Sequence, residues 1–206
     1  MELLSNTSVH HAVPDEYIMP PEKRPGNDEP VDPCAVTLPV IDLAAARRHL
    51  EIMEAGKEFG FFQARSRTPV VNHGVGEDVV TGFRRAAAEF FAMPAEEKLL
   101  YYSDDLSKTF RLDTSTAYVD DRTPRRYWRD YLQLQCFPPA MFAADWPAKP
   151  DAFRASLAAY ATAVQQLAAT VLGLVAEGLG LGAGFFRGGG LSGGTSTGTR
   201  RARTQA

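Results

Sequence analysis

The sequence predicts an α/β fold, with helices flanking a partial sheet, and three stretches carry that expectation. From Tyr127 to Phe137 the side chains alternate, Leu132, Leu134 and Cys136 on one face and Tyr131, Gln133 and Gln135 on the other, which is the period of a half-buried strand. From Asp151 to Gly178, Phe153, Leu157, Tyr160, Val164, Leu167, Val171 and Val175 step by three and four, the spacing of a long helix with one buried stripe. A second helical stripe, Val79, Phe83, Ala87 and Phe90, follows the acidic pair Glu77 and Asp78, which suits a helix N-terminus.

The elements between these follow in order. Pro14 to Pro39 is punctuated by seven prolines, each of which fixes φ and removes an amide donor, so residues 1–37 read as a flexible, extended arm. Leu38-Pro-Val-Ile-Asp-Leu43 is a short strand whose leading proline needs no ladder bond, and Asp42 is placed to cap the helix after it. That helix carries Leu43, Ala46, Leu50 and Met53 on its apolar face and frays at Gly56 and Gly60. Phe61-Phe62-Gln63 and Val70-Val71-Asn72 read as strand pieces, the second closing on Gly74. Met93-Pro94 ends the second helix. Short extended stretches are expected at Phe110 to Leu112 and at Ala117 to Val119. Burial of the long stripe after Asp151 is expected to be the largest single source of stability, at about 1.5–3 kcal/mol per large side chain fully buried. Residues 187–206 then lose all apolar period and read as a disordered Gly/Ser/Thr/Arg tail.

Composition narrows the partners. The 206 residues are 45% hydrophobic with a formal charge of −3, so one core can form and no nucleic-acid partner is indicated. No stretch approaches the ~18 consecutive apolar residues of a membrane span. Cys34 and Cys136 are widely separated, which fits a reducing compartment, and no signal sequence opens the chain; the expectation is cytoplasmic, with no membrane partner. Glu96 and Glu97 read as solvated charges. Gly188 to Gly190 lack the Lys-Ser/Thr ending of a phosphate loop.

Several strings, in this order and spacing, resemble the N-terminal region of plant non-haem Fe(II)/2-oxoglutarate-dependent dioxygenases. They are Leu38-Pro-Val-Ile-Asp-Leu43, Gly60-Phe-Phe-Gln63, Val71-Asn-His-Gly-Val75, Phe90-Phe-Ala-Met-Pro-Ala-Glu-Glu-Lys98, Tyr127-Trp-Arg-Asp-Tyr-Leu132 and Ala176-Glu-Gly-Leu-Gly-Leu181. The region between Tyr101 and Leu134 looks closest to the hyoscyamine 6-dioxygenase-like and salicylate-hydroxylase-like branch. The resemblance implies that residues 38–186 are the N-terminal portion of a double-stranded β-helix (jelly-roll) dioxygenase. The implied activity is hydroxylation or a related oxidation of a small plant metabolite, with Fe(II) held by two histidines and a carboxylate and with 2-oxoglutarate as co-substrate. It also places Tyr131 and Gln133 on the wall of the substrate pocket.

Two departures bear on that chemistry. The histidines are His10, His11, His49 and His73, and no His-x-Asp occurs. The jelly-roll core and its iron and 2-oxoglutarate ligands are therefore expected to be missing from this chain. Catalytic and metal residues are expected to be none, and cofactors none, Fe(II) and 2-oxoglutarate belonging to a full-length relative. His73, in an Asn-His-Gly turn, is expected to bond locally. The other departure is Ala64-Arg-Ser-Arg-Thr-Pro69, six residues between two strand flanks; both it and the tail have the look of splice or gene-model products. The expected chain is thus inactive alone, or alternatively a non-catalytic interaction module that pairs with a relative or with itself through an open sheet edge and the long helix.

Overall fold

A computed structural model describes residues 15–21, 39–45, 48–60, 62–64, 73–103, 105, 107–114, 117–118, 125–126, 129–186 and 201–205. Residues 65–69 of the insert, the strand piece expected at Val70 to Asn72, Cys34 and the His10–His11 pair lie outside these residues. The chain divides into two compact units, one of residues 1–29, 84–155 and 199–206, the other of residues 30–83 and 156–198. The division falls inside two helices, α2 (Glu77–Ala92) and α5 (Phe153–Gly178).

In the unit of residues 30–83 and 156–198, β1 (Val40–Ile41) runs parallel to β2 (Gln63–Ala64), with Val40 opposite Gln63. Helix α1 (Arg48–Glu58) lies between them in sequence. Asp42 closes a turn ahead of it: its Oδ1 accepts the Ala44 N–H at 2.8 Å and its carbonyl accepts the Ala45 N–H at 3.0 Å. The buried face of the helix differs from the one expected. Leu50, expected inward, is exposed, and Ile52 and Ala55 are buried in its place. These two join Ile41, Leu43 and Leu174 in one core cluster, with Phe62, Leu167, Val171 and Val175 packed against it. Phe83 stacks on Tyr160 at 4.9 Å between centroids.

Helix α5 has the expected stripe, but burial is uneven. Leu157, Leu174 and Ala176 are buried, whereas Tyr160, Val164, Leu167, Val171 and Val175 are half-buried, so the stripe contributes less than full burial implies. Among the described residues α5 is also the one helix long and apolar enough to cross a membrane by length and composition, with 6% of its most apolar window buried. Gln165, Gln166 and Thr170 interrupt the apolar run, so a search for consecutive apolar residues passes over it.

The unit of residues 1–29, 84–155 and 199–206 contains a three-stranded antiparallel sheet. Its order is β3 (Phe110–Thr114), β6 (Asp130–Gln135), β7 (Arg201–Gln205), with Leu112 opposite Leu132 and Leu132 opposite Thr204. A two-stranded antiparallel pair, β4 (Ala117–Tyr118) and β5 (Arg125–Arg126), accompanies it. Strand β7 departs from the disordered tail expected there. Ladder bonds are made by the backbone, so a segment without an apolar period still completes an edge. Helix α3 (Ala95–Leu99) follows α2 after Pro94, and α4 (Pro139–Phe142) follows β6. The apolar face of β3 and β6 holds Leu112, Leu132 and Leu134, and Phe90 packs on Phe153, Phe91 and Tyr101 with centroids 5.4–5.7 Å apart. Trp146, 1% exposed, donates its indole N–H to the Gln135 carbonyl at 2.9 Å.

Candidate functional site

The alternation in β6 puts Tyr131 and Gln133 on the same face, and the antiparallel register sets Asp113 opposite Tyr131 and Arg111 opposite Gln133. All four side chains are buried. Sequence reasoning passes over Arg111 and Asp113, although the signal is present: Phe110 and Leu112 alternate with them as cleanly as Leu132 and Leu134 alternate with Tyr131 and Gln133.

The four residues form one network. Arg111 Nη1 donates to Asp113 Oδ2 at 2.6 Å and to the Ser103 carbonyl at 3.4 Å. Its Nη2 donates to Tyr131 Oη at 3.3 Å and to Gln133 Oε1 at 3.4 Å. Tyr131 in turn donates its hydroxyl to Asp113 Oδ2 at 2.7 Å. The guanidinium carbons of Arg111 and Arg129 lie 5.7 and 5.8 Å from the Tyr131 ring centroid. One donor in this set, Arg111 Nε, is buried without a partner. The arrangement is built to hold side chains in place: the phenol both donates and accepts, and the carboxylate neutralises the buried guanidinium. Two open cavities, one of about 560 Å³ beside Leu100, Tyr102 and Phe110 and one of about 250 Å³ beside Arg48, do not include Tyr131 or Gln133.

On the opposite face, Asp130 is 3% exposed and Lys98 is fully buried. The Lys98 ammonium donates to the Phe91 carbonyl, in the last turn of α2. Burial pushes its pKa below the ordinary 10.5, with the Asp130 carboxylate opposing the shift. Glu97 meets Lys149 at 2.8 Å on the exposed surface, in keeping with a solvated role.

His73 does as its turn predicts, its Nδ1 accepting the Val75 N–H at 3.1 Å. Among the described residues no three His, Cys, Asp or Glu side chains are grouped to hold a metal ion.

Residues 38–152 match the family model described as non-haem dioxygenase in morphine synthesis, N-terminal. The chain belongs to this plant dioxygenase family, through its N-terminal region. Flavanone 3-dioxygenase 2 of Oryza sativa subsp. japonica is 36% identical over 187 residues, covering 89% of this chain and 52% of that protein. Hyoscyamine 6-dioxygenase of Hyoscyamus niger is 33% identical over 193 residues, covering 89% and 53% respectively. The crystal structure of JOX2 in complex with 2OG, Fe and JA superposes with a TM-score of 0.69 at 27% identity, over 89% of this chain and 50% of that one. The chain thus spans about half the length of the curated relatives it matches.

Proposed function

We propose that this chain supplies the N-terminal scaffold of an enzyme that hydroxylates or otherwise oxidises a small plant metabolite with Fe(II) and 2-oxoglutarate, and that these 206 residues alone hold neither. The family match over residues 38–152 carries the first half of that reading. The second half is supported by the four histidine positions and by the absence of a metal-binding group among the described residues. In this reading Tyr131 and Gln133 wall the substrate pocket of a full-length protein, and the Arg111–Asp113 pair keeps them in register.

The test is anaerobic calorimetry with Fe(II), with and without 2-oxoglutarate, beside an assay for succinate. No binding and no succinate are expected, with His73→Ala identical to the parent chain. Stoichiometric iron binding that 2-oxoglutarate tightens defeats the proposal.

A second reading, a non-catalytic module that pairs with another copy of the chain, is favoured by the shallow burial of α5. Sedimentation across a concentration series separates the two: a reversible dimer that a charge at half-buried Val164 (Val164→Glu) disrupts supports pairing, and a monomer throughout removes it.

A further inference from the structure

We propose that the open groove beside Tyr101, Tyr102 and Phe110 docks the proline-rich segment of residues 20–33 carried by a second copy of this chain. The contact uses no part of α5, so it is distinct from the pairing considered above, and it does not depend on the oxygenase reading.

The groove measures about 560 Å³ and lies wholly within the unit of residues 1–29, 84–155 and 199–206. Backbone bonds shape its walls. The Tyr101 carbonyl accepts the Leu112 N–H at 2.8 Å, and the Ser103 N–H donates to the Leu112 carbonyl at 3.1 Å, so the segment holding both tyrosines runs beside β3. Tyr101 meets Phe110 edge-on, with centroids 5.2 Å apart. Leu100 completes the lining and is 80% exposed. An apolar side chain left so open beside three half-buried rings suits the flat faces of prolines, the lining that polyproline segments dock on.

Two opposite charges rim the groove, Lys108 and Asp145. Both residues are exposed, and among the described residues neither forms an ion pair. Asp105, the carboxylate that feels Lys108, is instead held by Ser107, whose hydroxyl and N–H donate to it at 2.7 and 2.9 Å. A partner for this rim therefore carries a base and an acid in a fixed order along an apolar, extended backbone.

The chain itself carries that sequence. Residues 20–33 hold five prolines, with Lys23 and Arg24 ahead of Pro25 and with Asp28 and Glu29 ahead of Pro30. Such a composition favours polyproline II, which has no internal hydrogen bonds and docks on aromatic walls at low entropic cost. Lys23 and Arg24 toward Asp145, with Asp28 and Glu29 toward Lys108, select one direction of the segment, because the reverse sets like charges together. Proline-rich sequence is semi-rigid, so it reaches a neighbour more readily than it doubles back on its own groove. Two copies exchanging segments close a symmetric pair.

Sedimentation of the whole chain, with and without an excess of a synthetic peptide of residues 20–33, tests this. A dimer that the peptide converts to monomer is expected. Leu100→Asp is expected to weaken the dimer about tenfold and Lys108→Glu about fivefold, the upper end for an exposed ion pair, whereas Val164→Glu leaves it unchanged. Adding Asp28→Lys and Glu29→Lys to Lys108→Glu is expected to restore the parent's affinity. A chain that stays monomeric overturns the proposal, even where it binds the peptide, because the groove then serves a different proline-rich chain. A dimer that the peptide leaves intact overturns it too, as does one that Val164→Glu dissociates or that the charge exchange fails to restore. Circular dichroism confirms that each variant folds; should one fail to, peptide competition on the parent chain decides alone.

Discussion

Tyr131 donates its hydroxyl proton across the β3–β6 pair to Asp113, and the receiving oxygen, Oδ2, is also the one that Arg111 holds at 2.6 Å. One carboxylate oxygen therefore anchors both a neutral donor and a buried cation. Asp113→Ala leaves the guanidinium buried without its counter-charge and is expected to cost about 3–5 kcal/mol in urea denaturation. Tyr131→Phe removes a single bond and is expected to cost about 1–3 kcal/mol. Equal losses in the two variants would show that the ion pair adds nothing beyond the phenol.

Lys98 gives the chain an alkaline signature. Burial lowers its folded-state pKa below the unfolded 10.5, so between those two values the folded state binds fewer protons than the unfolded state. Stability contributed by this group is expected to rise with pH through the window just under 10.5 and to level off above it. Urea midpoints measured from pH 9 to 11 test the sign, and in Lys98→Met that rise is expected to vanish. A parent chain whose midpoint falls as steeply as the variant's contradicts the assignment.

Gly178 is required by a neighbour. A Cβ there would stand 2.3 Å from Met53 Cγ and 3.3 Å from the His49 carbonyl oxygen. Gly178→Ala is expected to lose about 1–3 kcal/mol, whereas Gly182→Ala, with nothing within 4 Å of the added methyl, is expected to lose none. Combining Gly178→Ala with Met53→Ala is expected to recover part of the loss, a coupling that a double-mutant cycle measures.

Trp146 ties the segment after α4 to the end of β6 through the Gln135 carbonyl, and Arg154 Nε and Nη2 grip the Trp146 carbonyl at 2.9 and 2.7 Å. Trp146→Phe keeps most of the apolar volume but leaves the Gln135 carbonyl without this donor, an expected loss of about 1–3 kcal/mol by thermal denaturation.

Elements with a long, clean period are legible in the sequence. Helix α5, expected from Asp151, begins at Phe153; α2 starts at Glu77 as expected, and β6 has the expected faces. In α1 the apolar spacing suggests Leu50 on the inner face, whereas Ile52 and Ala55 are buried, after a turn at Asp42 and Leu43 closed by the Asp42 side chain. Strand β7 is illegible because its pairing rests on backbone groups that every residue carries. The site is half legible: Tyr131 and Gln133 stand out on a strong strand, whereas Arg111 and Asp113 lie in a polar stretch whose alternation is short.

Strand β6 is bonded on both edges, to β3 on one side and β7 on the other. Amides held between two neighbours exchange with solvent only when a flanking strand departs, so β6 is expected to be the slowest-exchanging backbone of the sheet. Tyr131 and Gln133 therefore hang from the strand that opens last. Fraying at either edge would loosen Arg111 or uncover one row of carbonyls, yet leave those two side chains standing where the intact sheet puts them.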